Sequence, residues 1–366
     1  MFPSIDAACQ GEGMRDAGGG AIGVGLVGYG LAGSGLHAPL IGAEPRLRLH
    51  AVAASRHPEK VHRDVPAVRV VATPAALLED PAVELVVVAA PNALHHQLAG
   101  AALRAGRHVV VDKPFVTSSA EADELIRLAE REDRLLSVFQ NRRWDGDYLT
   151  VRHCVRAGLV GHVSTYIARY DRFSPHPLGG WREREAPGSG VLWDLGAHLI
   201  DQALQLFGLP ATVMADVGVQ RPGALADDYF HVVLGYRELR AILHAGSLVR
   251  ASGPRFEVHG DKGSFLKHGV DSQARELESG QRPGDPGWGS DPEDRYGSLT
   301  TEVAGLEVTG RLATLPGSYQ SFYRGMAGAI LGEGPVPVAA EEARNTVRML
   351  ECAMQSSREG RVVTVG

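Results

Sequence analysis

The chain has 366 residues, 44% of them hydrophobic and 22% charged, with a formal net charge of −6. That length favours two domains, and the composition is that of an ordinary globular protein. The acidic balance argues against nucleic acid or an anionic membrane as partner, since both call for a basic surface, and no apolar run reaches the roughly 20 residues that span a bilayer.

In chain order, residues 1–20 (MFPSIDAACQGEGMRDAGGG) lack the basic n-region and apolar h-region of a secretory signal. They read as a disordered tail ending in a Gly run, with Met14 as an alternative start. The three cysteines, Cys9, Cys154 and Cys352, are scattered and show no metal-ligand spacing. They predict reduced thiols in a cytoplasmic protein, and no metal.

A β-prone run, Ile22 to Val27, leads into Gly28-Tyr-Gly30-Leu31-Ala32-Gly33 and then a helical pattern. In G-x-G-x-x-G the first Gly permits the tight turn, the second lets the backbone approach a pyrophosphate, and the third lets helix and strand pack. The helix N-terminus then faces the phosphates. The stretches LRLHAVAAS, VRVVA, VELVVVAA and RHVVVDKP follow as strands, with a helix through NALHHQLAGAALRAG. Val-rich strands between helices predict a parallel sheet covered on both faces, an α/β Rossmann domain over residues 21–140.

The second strand ends in Ser55 and Arg56, with no carboxylate before Glu59. A hydroxyl and a guanidinium suit a ribose 2′-phosphate better than a free 2′-hydroxyl, so NADP is preferred over NAD. Pro91, Asn92 and His95 follow a strand end and are expected beside the cofactor. Lys113 closes the strand RHVVVDKP at the carboxyl edge of the sheet. There it either points toward the nicotinamide or is a surface lysine at a turn.

From about residue 141 the pattern changes. A helix through DYLTVRHCVRAGLV precedes alternating runs, HVSTYIARYDRF, YFHVVLGY, LRAILHAGSL and RFEVHGDKGSFLKHG, which read as antiparallel strands. The expectation is an α+β domain over 141–366 with a large open, mainly antiparallel sheet. One face of it is left to pair with a second subunit in a homodimer or homotetramer. GQRPGDPGWGSDPED reads as a loop and AAEEARNTVRMLECAMQSSREG as a late amphipathic helix.

GVLWDLGAHLID predicts a helix over about 190–207 that ends at Gly208. Asp194 and His198 are four apart and share a face. That face is either solvated or the place of a proton-transfer pair, since a His beside a carboxylate is usual equipment for moving a proton near neutral pH.

Together GLVGYGLAG, APNALHHQLAGAALRAGRHVVVDKPF and GSGVLWDLGAHLID resemble the Gfo/Idh/MocA oxidoreductases over nearly the whole chain from Gly23. The family's E-K-P appears here as Asp112-Lys113-Pro114, with a shorter acid. LHAPLI, SVFQNRRWDGDYLT and HLIDQALQLFGLP look closest to a subgroup that includes NADP-dependent scyllo-inositol dehydrogenases. The resemblance implies that Lys113, Asp194 and His198 are catalytic. Hydride would pass between a secondary alcohol of an inositol-like polyol or sugar and a nicotinamide. Among residues toward the cofactor, Asp112, Arg143 and Trp144 join those above, with Arg142 near the domain junction. Tyr170, Arg172, Trp181 and Tyr229 are candidates to line a polyol pocket. Three alternatives remain: a non-catalytic dinucleotide-sensing regulator, a NAD-dependent glycosidase, and a reductase of a non-sugar substrate.

Overall fold

A strand covered on both faces tolerates no polar alternation, and the valine runs of the first half behave accordingly. The computed structural model describes residues 20–54, 57–177, 179–180 and 183–366. Its first sheet contains β1 (Ile22–Val27), β2 (Leu47–Ala53), β3 (Arg69–Val71), β4 (Leu85–Val88), β5 (His108–Asp112) and β6 (Leu136–Phe139). All are parallel, in the order β3-β2-β1-β4-β5-β6, and β1, β4 and β6 are buried along their whole length. The connections carry α1 (Ala38–Gly42), α2 (Pro58–Asp64), α3 (Pro74–Leu78), α4 (His95–Arg104) and α5 (Ser119–Arg131). Strand order reverses between β1 and β4, the switch point beyond whose carboxyl ends open α/β sheets bind ligands.

The second half opens with α6 (Gly146–Arg156) and β7 (Val163–Arg169). It continues through α7 (Ala197–Phe207), β8 (Thr212–Gly218), β9 (Tyr229–Gly235), β10 (Arg240–Gly246), β11 (Phe256–Gly260), β12 (Gly263–Lys267) and α8 (Gln273–Glu278). It closes with β13 (Gly297–Val303), β14 (Leu306–Leu312), α9 (Gln320–Ile330), α10 (Ala340–Glu359) and β15 (Val363–Thr364). The sheet order is β14-β13-β12-β11-β7-β10-β9-β8-β15, and β7–β10 is its one parallel pair. The sheet is therefore mixed and mainly antiparallel.

Period-two alternation divides this sheet into two faces. Tyr166, Ala168, Phe230, Val232, Leu243, Phe256 and Phe265 are buried on one. On the other, Met214, Val233, Ile242 and Ile167 pair across β8, β9, β10 and β7 as one apolar row, Met214 exposed and the rest half-buried. Helix α10 packs on β8 and also on α5, α7 and β6, which ties the second sheet to the first.

Several elements escape the sequence reading. Strand β14 is exposed at nearly every position, so it carries no alternation, and the β13–β14 turn uses Ala304 and Gly305 at positive φ in place of a stronger Asn-Gly signal. Cys154 and Cys352 are free thiols, and Cys9 lies outside the described residues. Among the described residues no helix is long and apolar enough to cross a membrane.

Candidate active site

The glycine turn is built as its three positions require. Gly28 sits at φ +96°, and a Cβ there would overlap the Ala89 carbonyl oxygen. A Cβ on Gly33 would overlap the carbonyl oxygen of Gly28, so turn and helix are packed against each other. Gly30 differs: a Cβ there meets nothing within 4 Å, and neighbouring Leu31 is 74% exposed. The open side of the loop is thus Gly30–Leu31–Ala32, the side on which a pyrophosphate lies in such turns. A dinucleotide fits this turn. Ser55 and Arg56, on which the 2′-phosphate expectation rests, lie outside the described residues.

Beyond β4, Pro91 is exposed and Asn92 is buried, with Nδ2 donating to the Gly188 carbonyl at 2.7 Å. Asn92 thereby joins the first sheet's edge to the segment leading into α7. His95 departs from expectation. Its ring is fully buried, with Nδ1 2.9 Å from the Pro114 carbonyl and Nε2 2.9 Å from the Ala90 carbonyl. It therefore fastens the ends of β4 and β5 together and does not line the cleft.

The stretch around Asp194 is held by a buried cap. Gly190 lies at φ +91°, where a Cβ would overlap the Asp227 carboxylate. Asp227 Oδ2 accepts from the Leu192 N–H at 2.7 Å, and its main-chain oxygen accepts from Val191 N–H at 2.8 Å. A π-helical turn, Leu192–Gly196, follows and runs into α7. Asp194 sits on that turn and His198 on the first turn of α7.

These residues meet Lys113 from β5. Lys113 Nζ donates to Asp194 Oδ1 at 2.8 Å and to the Asp194 main-chain oxygen at 2.7 Å. His198 is 4% exposed, and its Nδ1 is buried with no hydrogen-bond partner among the described residues. Burial, then the charges of Lys113, Arg142, Arg255 and Arg172, push its pKa well below that of an ordinary histidine, so the ring is neutral. The polar side of this helix is thus interior: Asp201 is 2% exposed. A lysine ammonium, a carboxylate and a neutral imidazole converge at the carboxyl edge of the parallel sheet. Such a set can hydrogen-bond a hydroxyl or carbonyl oxygen and move its proton.

Asp112 is largely buried beside them. Burial raises its pKa, but His37, Lys113 and His95 outweigh that and hold the carboxyl below its usual range. Its Oδ1 accepts from the Lys113 main-chain N–H at 2.8 Å. His37 was not singled out in the sequence, because its partners come from distant segments.

The remaining candidates divide. Tyr170 is 8% exposed on the inner face, its ring centroid 4.8 Å from the Arg142 guanidinium, 5.3 Å from that of Arg172 and 5.1 Å from that of Arg255. Arg172 is half-exposed, its Nη1 3.9 Å from Asp194 Oδ2. Both therefore stay beside the cleft. Arg143 does not: it is 6% exposed, bidentate on Asp201 at 2.7 and 2.8 Å, and 2.6 Å from Glu342. It forms an interior ion-pair hub tying α7 to α10. Trp144 is half-buried, edge-on to Phe322 with centroids 5.9 Å apart, as a packed residue at the junction. Tyr229 lies on the opposite strand parity to Phe230, stacks on His244 at 5.3 Å, and so faces the open side of the sheet, away from His198. Trp181 lies outside the described residues. Among the described residues no group of three or more His, Cys, Asp or Glu side chains is placed to hold a metal ion.

A dinucleotide turn at the switch point and this lysine–carboxylate–imidazole group together define a nucleotide-dependent oxidoreductase. The description "Oxidoreductase family, NAD-binding Rossmann fold" matches residues 22–140, and "Oxidoreductase family, C-terminal alpha/beta domain" matches 152–365. The chain belongs to the Gfo/Idh/MocA oxidoreductase family. It is 42% identical over 327 residues to the scyllo-inositol 2-dehydrogenase (NADP(+)) IolW of Bacillus subtilis, covering 89% of this chain and 91% of that one. It is 29% identical over 202 residues to the 1,5-anhydro-D-fructose reductase of Ensifer adhaerens, covering 54% of this chain and 60% of that protein. Among solved structures, the Bacillus subtilis oxidoreductase yvaA superposes with a TM-score of 0.92 at 41% identity, covering 95% of this chain and 99% of that one.

Proposed function

We propose that the protein is an NADP-dependent dehydrogenase of a cyclic polyol or sugar. The observation that carries this reading is the double contact of Lys113 Nζ with Asp194 beside the buried ring of His198. The NADP(+) in the name of the Bacillus subtilis relative, together with Ser55 and Arg56 in this sequence, supports NADP over NAD.

The cofactor, held at Gly28–Gly33, supplies the hydride acceptor or donor. In the oxidative direction the neutral ring of His198 takes the proton of the substrate hydroxyl. Lys113 Nζ hydrogen-bonds the same oxygen and stabilises the charge that develops there. Asp194 orients Lys113 and is placed to accept from a neighbouring substrate hydroxyl. Tyr170 and Arg172 border the substrate side. Domains of 21–140 and 141–366 divide these tasks, and the open row Met214–Val233–Ile242–Ile167 is the surface on which two copies assemble. We assign the protein to the cytoplasm.

The similarity to a 1,5-anhydro-D-fructose reductase favours a second reading of the same chemistry, run as reduction of a sugar ketone. A spectrophotometric panel of inositols, aldoses and ketoses with NADP(H) and NAD(H) tests both. Turnover of an inositol or sugar with NADP, lost in a Lys113→Ala/His198→Ala double variant, is the expected result. Turnover with NAD alone would overturn the role of Ser55 and Arg56. Absence of turnover with every polyol and ketose, in the face of tight NADPH binding, would overturn the substrate class.

A further inference from the structure

Lys113 is approached from behind by a chain of buried groups to which no role has been given above. Its main-chain N–H is held by Asp112 Oδ1 at 2.8 Å. His37 Nε2 lies 3.7 Å from that oxygen, longer than a hydrogen bond, and has no other partner among the described residues. On the far side of the imidazole, Nδ1 is 2.6 Å from the hydroxyl of Tyr323. His37 and Tyr323 are both fully buried, and Phe139 packs on the ring with centroids 4.4 Å apart.

The direction of this chain follows from the protons. Burial, with the charge of Asp112 adding to it, drives the Tyr323 hydroxyl well above the usual phenol range, so it keeps its proton. The phenol is therefore available to donate to Nδ1, and Nε2 is then the ring nitrogen that carries a proton, 3.7 Å from Asp112 Oδ1. The titratable groups that face the ring are Tyr323 from α9 and Asp112 from β5, and Lys113 acts on Asp112 from the next position in the chain. His95 from α4 acts on Asp112 from another side, and Phe139 and Phe322 close the pocket with apolar rings.

We infer that His37 and Tyr323 are positioning residues for Lys113. They fix the orientation and charge of Asp112, which holds the lysine main chain while Asp194 holds its Nζ. The inference rests on the reading of Lys113 as a catalytic group. It links α9, nearly 300 residues along the chain, to the segment just after the glycine turn, and it gives the His of LHAPLI a task.

The test pairs kinetics with a readout independent of turnover. In Tyr323→Phe the Nδ1 position loses its partner, so the ring is free to turn and its hold on Asp112 loosens. We expect kcat to fall roughly ten- to a hundredfold, since small misplacements of a reacting group cost that much, with KM for the cofactor within about threefold. His37→Gln, which keeps a donor and an acceptor, should retain more activity than His37→Leu. In parallel, nitrogen NMR of histidine-labelled protein should show His37 as the Nε2–H tautomer in the wild type and a changed ring in Tyr323→Phe. A His37 ring that carries its proton on Nδ1 alone, or wild-type kcat in Tyr323→Phe, would overturn the inference. If no polyol is turned over, the functional reading fails, and the NMR result still decides the relay.

Discussion

Nζ of Lys113 donates at once to the main-chain oxygen and to Oδ1 of Asp194, at 2.7 and 2.8 Å. One of those acceptors is a side chain and the other is backbone, so the two can be removed separately. Lys113→Met abolishes both and should lower kcat by about 10²–10⁴-fold. Asp194→Asn leaves the main-chain contact and should cost less, about 10–10²-fold. Steady-state kinetics on the same substrate ranks the two variants; equal losses would mean that the Asp194 charge, not Lys113, carries the rate.

The neutral state of His198 has a consequence for pH. Its pKa lies well below the ordinary histidine value through burial and the nearby cations Lys113, Arg142, Arg255 and Arg172. Protonation is therefore postponed to acid, and kcat/KM for oxidation should stay flat from about pH 8 to 6 as far as this ring is concerned. His198→Asn should lower kcat by about 10²–10⁴-fold across that range. A wild-type midpoint near the ordinary histidine value, lost in His198→Asn, would show a ring that charges freely.

Asp227, the cap of the segment before α7, works in the opposite sense. Burial raises its pKa from 3.8 to about 6. A carboxyl whose folded pKa lies above its unfolded value stabilises the fold in its protonated form, and that contribution is lost as pH rises through about 6. Asp227→Asn keeps an acceptor for the Leu192 N–H without the buried charge. The variant should be more stable than the wild type at pH 8 by about 1–2 kcal/mol, less than the full shift because the carboxyl is not wholly removed from solvent, and the gap should close near pH 4. Chemical denaturation at the two pH values measures it.

The first and second glycines of the dinucleotide turn should separate stability from binding. Gly28→Ala forces a positive φ and an overlap with the Ala89 carbonyl, and should cost about 2–4 kcal/mol. Gly30→Ala meets open space and should change stability by less than about 1 kcal/mol, yet weaken NADPH binding at least about tenfold. Thermal melts and fluorescence titration together decide it.

For assembly, Ile242→Glu places a charge in the middle of the row Met214–Val233–Ile242–Ile167. Light scattering should find the wild type as a dimer or tetramer and the variant as a smaller species. A monomeric wild type would remove the role proposed for this face.

What could be read from sequence follows how local each signal is. The glycine turn, the valine strands and the helix bearing His198 are written in contiguous residues, and so are the motif positions of Lys113 and Asp194. The surroundings of Arg143, His95 and Tyr229 were not legible in the sequence for a different reason. Arg143 is claimed by Asp201 and Glu342, His95 by two carbonyls at strand ends, and Tyr229 by a strand parity that sends it to the far face. His37 and Tyr323 are 286 positions apart, and no spacing rule connects them.

Helix α10 and the short strand β15 are the last structured pieces of the chain, yet β15 completes the edge of the second sheet on β8, and α10 rests on α5, α7 and β6. Glu342 stands in the first turn of α10 and meets Arg143, while Ser356 and Ser357 in its last turns are bound to β8. One helix thus grips the ion pair beside α7 at one end and the second sheet at the other, so a disturbance of either end is passed to the active-site scaffold far from any residue that touches substrate.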